Sequence, residues 1–286
     1  MVAFTIYWFP IYRYWIFYAL AFIFWYFWLA WIGKKQWFKN YSTVQYFLTD
    51  GLEDLIFAIA VWVILWWRLG HVVIYNAGYY FQHLMEIFQI WKGGMSFIWG
   101  ILGVVFCVGS LMVSKKAGWK DFLILFDLIL VFVPLGIFLW RFGNYLNQEL
   151  YGIPIQILPE WLGKLLGIFW FTHVYSNVDH FLRVNTNFLS MLFEGLLLYA
   201  FQACLFVKMI VKKNFKIWVL ACNFLMCYSF VRFFLEYLRA DSQLEFVWWF
   251  SKSQWFFVFF FIFAIVVRIY LYKHRKEKNL HIWLSR

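Results

Sequence analysis

"FLILFDLILVFVPLGIFLWRFGN", residues 122–144, decides the fold. Residues 122–140 are nearly all apolar, and Arg141 and Asn144 follow at once. About 20 mostly apolar residues in a helix cross the hydrocarbon core of a bilayer. Lipid offers no partners to backbone N–H and C=O groups, so such a run is a helix and not an open strand.

Six further apolar runs lie at about 14–31, 55–75, 97–113, 188–211, 217–238 and 255–272. The chain as a whole is 65% hydrophobic and 14% charged over 286 residues. Soluble domains hold roughly 45–50% apolar and about 25% charged residues. The expected fold is therefore all-α, a polytopic membrane bundle of seven transmembrane helices forming one membrane-embedded domain over residues 1–286. The first run is too long for a removed signal peptide and lacks a small-residue cleavage pattern, so it counts as a helix.

The net charge is +11, which raises the question of nucleic acid. The basic residues, however, form short clusters between runs: Lys34, Lys35 and Lys39; Lys115, Lys116 and Lys120; Lys212, Lys213 and Lys216; and "YKHRKEK" at 272–278. Every odd-numbered connection is a basic one, which places the N-terminus outside and the C-terminus in the cytoplasm. The partner this implies is the bilayer, not nucleic acid. Cys107, Cys204, Cys222 and Cys227 all lie in apolar segments, where they read as small hydrophobes. The longest connection, at about 141–186, falls on the outer side and contains Pro154 and Pro159, with Pro134 just before it. Such long connections beside a scaffold are where sites are often built.

Ionisable groups at bilayer depth cost at least about 2.5–3.5 kcal/mol each on insertion scales and face a partner or a wet cavity. Here they are Arg68, Arg141 with Asn144, Asn147 and Glu149, Glu194, and Arg232 with Glu236 and Arg239. Arg232, Glu236 and Arg239 are spaced i, i+4, i+7, putting plus, minus, plus on one helix face. That face is either a self-neutralising ladder or half of an anion site. Arg141, Asn144 and Asn147 share a face if helix persists beyond residue 140; alone, Arg141 reads as a side chain snorkelling to the interface. Two arginine-bearing clusters at outer helix ends favour an anion site, because the planar guanidinium fork matches phosphate oxygens. His71 reads as a packed polar side chain, and His173 and His180 as ordinary loop residues. There is no nucleophilic triad, phosphate-cradling loop or metal-ligand spacing, so neither a cofactor nor a metal is expected.

The segments "GGMSFIWGILGV" (93–104), "WRFGNYLNQELYG" (140–152), "RVNTNFLSMLFEG" (183–195), "YSFVRFFLEYLRAD" (228–241) and "SKSQ" (251–254), with "WWRLGHVVIYN" (66–76), come in a telling order. In that order and at compatible spacing, the chain resembles the prolipoprotein diacylglyceryl transferases, from Tyr12 to the last run. The resemblance implies a seven-helix enzyme of the bacterial inner membrane. It implies transfer of the diacylglyceryl group of phosphatidylglycerol to the lipobox cysteine thiol of a prolipoprotein, forming a thioether and releasing glycerol phosphate. By matching position, Arg141, Asn144, Arg232, Arg239 and Tyr14 take catalytic roles. Arg141, Asn144, Asn147, Glu149, Gly152 and Glu236 are implied to bind the lipid.

Two departures stand out. The family's "FHGG" reads Phe97-Ile98-Trp99-Gly100 here, so no imidazole can accept the thiol proton at residue 98. The family's "HPSQLYE" reads Val184-Asn185-Thr186-Asn187-Phe188-Leu189-Ser190, losing a histidine, a tyrosine and a glutamate. Glu149, Glu194 and Tyr14 are the alternatives for the proton, or the chain is a silent relative that binds lipid or lipoprotein precursors. A solute transporter is a further rival; transporters commonly carry repeats and broken helices in corresponding halves, and neither is evident. Tryptophan also stands where the family expects glycine, at Trp15, Trp62, Trp66, Trp67, Trp99 and Trp140, and the 20 Trp outnumber the 16 Gly. Close contacts between membrane helices use small residues. Either UGA codons have been read as Trp in place of Gly, or the facing helices have shrunk to receive the rings.

Overall fold

The computed structural model describes residues 2–6, 9–75, 77–89, 97–167, 169–240, 246–274 and 281–283. It begins with strands β1 (Val2–Ile6) and β2 (Phe9–Tyr12), then helices α1 (Arg13–Lys34), α2 (Ser42–Leu48), α3 (Leu52–Gly70), α4 (Ala77–Gln82), α5 (Phe97–Ser114) and α6 (Trp119–Leu146). The connection after α6 holds α7 (Glu160–Leu166) and the hairpin β3 (Thr172–Val174) and β4 (Leu182–Val184). A continuous helical stretch follows, made of α8 (Thr186–Ser190), a π-helical segment Met191–Leu197 and α9 (Leu198–Val211). The chain continues through β5 (Asn214–Lys216), α10 (Val219–Glu236), the hairpin β6 (Phe246–Val247) and β7 (Phe250–Ser251), α11 (Lys252–His274) and β8 (His281–Trp283). The strands form antiparallel pairs, with β5 taking β8 as its partner.

Among the described residues six stretches are long and apolar enough to cross a membrane: Ile16–Lys34, Leu52–Val73, Trp119–Leu146, Thr186–Val211, Val219–Glu236 and Lys252–His274. The third expected run forms a shorter apolar helix, Trp99–Ser114. Large apolar side chains on these helices point outward, including Phe27, Phe57, Phe259 and Val266. Exposure on that scale is ruinous in water and suits hydrocarbon. The protein is a polytopic, mostly helical membrane protein.

The chain falls into two compact units, residues 26–126 with 285–286, and residues 1–25 with 127–284. In the first, α3 and α5 pack through reciprocal tryptophan and glycine contacts. A methyl group added at Gly70 would collide with the Trp99 ring, and one at Gly100 with the Trp67 indole. At Gly103 it would lie 2.9 Å from Trp66 Cβ. Trp66 stacks between Trp99 and Phe106, at 5.6 and 4.7 Å between centroids. These three rings thus sit where the facing helix carries no side chain. Arg68 is buried here too; its Nε donates to the Ile87 carbonyl at 2.8 Å and its Nη2 to that of Glu86 at 2.6 Å. The Tyr80 ring covers its guanidinium.

In the second unit two buried polar devices fix helix starts. Asp127, fully buried on α6, accepts from the backbone N–H of Trp218 at 2.5 Å and of Ala221 at 2.7 Å. It caps α10 from another helix, its two oxygens accepting where the first N–H groups of α10 lack helical partners. Ser251 and Gln254 form a reciprocal capping box on α11. The Ser251 N–H donates to Gln254 Oε1 at 2.9 Å, and the Gln254 N–H donates to Ser251 Oγ at 3.2 Å. Gln254 Nε2 also donates to the Phe233 carbonyl at 3.1 Å, tying α11 to α10.

Candidate functional site

Helix persists through Leu146, so Arg141 and Asn144 lie on the last turns of α6 and Asn147 just after it. Beyond them Gln148 and Leu150 adopt left-handed backbone, with φ of 55° and 51°. Non-glycine residues hold that conformation only where their surroundings impose it. The imposing groups come from the start of α8. Thr186 Oγ1 donates to the Leu150 carbonyl at 2.6 Å, and Asn187 Nδ2 donates to that of Glu149 at 2.7 Å. Asn185 caps α8 by accepting from the Phe188 N–H at 3.1 Å, and Tyr175 Oη donates to the same Asn185 oxygen at 3.2 Å. Residues that depart from the family pattern at 185–187 therefore hold the polar segment in place.

The π-helical segment carries Glu194, which is fully buried. Its neighbour Gly195 lies so close to α6 that an added Cβ would stand 2.7 Å from Phe138 Cβ. This approach, one turn before Arg141, brings the Glu194 carboxylate to the arginine. Oε2 lies 3.9 Å from Arg141 Nε, and Oε1 lies 3.6 Å from Arg232 Nη1 on α10. Arg232 Nη2 and Arg239 Nη1 lie 3.2 and 3.4 Å from Glu236 Oε2. Arg141 also packs its guanidinium over the Trp140 ring.

Five charged groups, from α6, the Glu194 segment, α10 and the turn after it, thus form one buried layer. Among the described residues three guanidiniums face two carboxylates here, with Arg239 half-buried at the edge of the cluster. Buried charges need pairing, and guanidinium forks such as those of Arg141 and Arg232 match the oxygens of an anion. Among the described residues no hydrogen-bond partner is found for Asn144 Nδ2, either amide atom of Asn147, Asn187 Oδ1, Ser190 Oγ, Ser229 Oγ or either Glu194 oxygen. Such groups cost about 1–3 kcal/mol each when buried unpaired, and their accumulation marks a functional site more often than a stabilising core.

Gly152 is in the same neighbourhood for a backbone reason. Its N–H donates to the Val184 carbonyl at 3.1 Å, and Ile153 N–H to that of Leu238 at 3.0 Å. A Cβ at Gly152 would collide with the Val184 carbonyl and stand 2.7 Å from that of Leu238. Gly152 therefore fastens the polar segment beside Arg239, with which it forms an isolated antiparallel bridge. The Glu149 side chain is exposed, away from the buried layer. Tyr14 belongs to α1 and Ile98 to α5, but both side chains lie outside the described residues.

His173, on β3, sits 5.0 Å from each of the Tyr145 and Tyr175 rings, and burial lowers its pKa from the usual value. Burial likewise raises that of Tyr175. His180 is exposed. An apolar groove of about 280 Å³, lined by Phe138, Phe142, Tyr145, Phe188 and Met191, is built from the same α6 and α8 segments. Sequence reasoning passed over Asn187, Ser190 and Ser229 because small polar residues in apolar runs carry little signal. Asp127 had a signal: it is an ionisable residue within an apolar run.

Residues 1–270 match the family model described as prolipoprotein diacylglyceryl transferase. A phosphatidylglycerol–prolipoprotein diacylglyceryl transferase of Pseudomonas aeruginosa is 31% identical over 221 residues, covering 77% of this chain and 75% of that protein. The enzyme of the same name from Wolbachia pipientis wMel is 32% identical over 241 residues, covering 84% of this chain and 82% of its own. That from Aromatoleum aromaticum is 35% identical over 191 residues, covering 67% and 66%. With a family model spanning nearly its whole length and relatives at this identity, the chain belongs to the prolipoprotein diacylglyceryl transferase family.

Proposed function

We propose that this chain transfers the diacylglyceryl group of phosphatidylglycerol to the lipobox cysteine of prolipoproteins, forming a thioether and releasing glycerol phosphate. The observation that carries the reading is the buried layer in which Arg141 and Arg232 share Glu194. A phosphodiester is an anion, and two planar guanidiniums match its oxygens. Asn144, Asn147 and Glu236 bind the head with Arg141, Glu149 flanks it, and Gly152 keeps the segment in place. The groove beside the layer takes acyl chain.

Chemistry follows from where charge develops. When the carbon–oxygen bond to phosphate breaks, the leaving group gains negative charge, so Arg141, Arg232 and Arg239 stabilise the transition state more than the bound lipid. The thiolate is the nucleophile, and Tyr14 is assigned to the same site. The enzyme is one membrane-embedded domain of the bacterial inner membrane, with seven spans, N-terminus outside, C-terminus cytoplasmic, and the 141–186 connection on the outer face.

The test incubates purified protein with phosphatidylglycerol and a lipobox peptide. Lipid-modified peptide is expected, falling about 10²–10³-fold in Arg141→Ala and in Arg232→Ala. Lipid binding without any transfer by the wild type would instead identify a silent relative, the reading favoured by Ile98.

A further inference from the structure

The family's histidine is Ile98 here, so the thiol proton needs another acceptor. Tyr14, one of the alternatives, has its side chain outside the described residues; among those described, two glutamates beside the arginines, Glu194 and Glu236, and the nearby Glu149 and His173 have the chemistry. The Glu149 side chain is exposed and outside the layer. His173 packs between two tyrosine rings, and none of its ring contacts involves the arginines. Glu236 Oε2 takes both Arg232 and Arg239, accepting a hydrogen bond from the latter at 3.4 Å. Glu194 differs from all three. It is wholly buried between two guanidiniums at 3.6 and 3.9 Å, beyond hydrogen-bond length, and among the described residues neither of its oxygens accepts a hydrogen bond. A carboxylate offers about four lone-pair positions.

We propose that Glu194 is the proton acceptor for the lipobox thiol and hands the same proton to the departing phosphate. The proposal rests on the transferase reading above. Before lipid binds, Glu194 supplies the negative charge that Arg141 and Arg232 need. A phosphodiester taking both guanidiniums leaves the Glu194 oxygens free to accept from the thiol, so the substrate prepares its own acceptor. The thiol then gives its proton to a Glu194 oxygen. The sulfur lone pair forms the bond to the glyceryl carbon, while the bond from that carbon to the phosphate oxygen breaks and its electrons stay on oxygen. The phosphate, now carrying an added negative charge, takes the proton from Glu194 and leaves as a glycerol phosphate monoanion. No proton is gained or lost, and Glu194 returns to the arginines. Its seat on a π-helical segment agrees with the frequent use of such segments at functional sites.

The test compares wild type and Glu194→Gln, as full-length protein in phosphatidylglycerol nanodiscs, on a lipobox peptide carrying cysteine and on the same peptide carrying selenocysteine. A selenol is ionised at neutral pH and needs no acceptor. Glu194→Gln is expected to transfer to the thiol about 10²-fold or more slowly than wild type, the range for a general base, while still binding phosphatidylglycerol. On the selenol its deficit should shrink at least about tenfold. Equal deficits on both peptides, wild-type rates on the thiol, or loss of lipid binding would each overturn the assignment. Should Glu194→Gln not fold, Glu194→Asp keeps the charge and withdraws it by one methylene; its deficit too must be larger on thiol than on selenol, or the idea is overturned. If wild-type protein binds lipid but modifies neither peptide, the transferase reading itself falls, and this one with it.

Discussion

Asp127→Ala tests whether α10 is held by a cap borrowed from α6. The carboxylate accepts from two N–H groups at the start of α10, at 2.5 and 2.7 Å, and is fully buried. Removing it leaves both donors without a partner where water cannot replace it, at about 1–3 kcal/mol for each buried donor. An ordinary N-cap lost to alanine costs about 0.5–2 kcal/mol. A destabilisation of about 2–6 kcal/mol is therefore expected, with the two donors as its main source. Asp127→Asn keeps one oxygen to accept from one N–H and turns its own NH₂ toward the other, so about half the loss is expected. Asp127 also interacts electrostatically with Arg268 on α11. The double variant Asp127→Ala with Arg268→Met should therefore lose less than the two singles added, because one change removes the partner of the other. The assay is reversible unfolding in mixed detergent micelles, followed by tryptophan fluorescence. An Asp127→Ala midpoint equal to that of wild type, or an Asn variant as damaged as the Ala one, would refute the cap.

Other consequences are as direct. Gly195→Ala places a methyl 2.7 Å from Phe138 Cβ; parting the helices should cost about 1–3 kcal/mol and lower transfer more than lipid binding, read from kcat and KM on the lipobox peptide. Gln254→Ala removes one side of the capping box and the bond to the Phe233 carbonyl, and a loss of about 1–2 kcal/mol in the same unfolding assay is expected. Unchanged stability would mean that α11 does not depend on its cap. In the 172–184 hairpin the Arg183 hydrogen bonds hold the Asp179 pKa below its usual value. A depressed carboxyl stabilises the fold above its unfolded pKa, near about 3.9, and that support is lost as pH falls through the lower folded value. Proteolysis of the hairpin should accelerate only in that acid window, and Asp179→Asn should abolish the dependence.

The apolar runs were legible because each is a local statement of composition, and a helix closes its backbone bonds within its own segment. The "SKSQ" segment entered only as a motif of the resemblance; its capping box, Ser followed three residues later by Gln before an apolar run, was found in the structure. Arg232, Glu236 and Arg239 were legible as one face because their spacing follows the helical repeat. Arg68, by contrast, met carbonyls near residue 86, and nothing in its own run announced that partner. Gly152 read as a lipid contact by resemblance, and its surroundings add what the sequence did not announce, a backbone contact too tight for any side chain.

By itself the sequence determined that this is a helical membrane protein, where its apolar runs lie, and which family it resembles, since hydropathy and motif order are properties of short segments. Only the tertiary structure decided that Arg141 and Arg232 meet over Glu194, and that Asp127 caps a helix far along the chain. Those pairings depend on how closely helices approach, at Gly195 against Phe138 above all, and distance between segments is set by the packing of side chains remote in sequence.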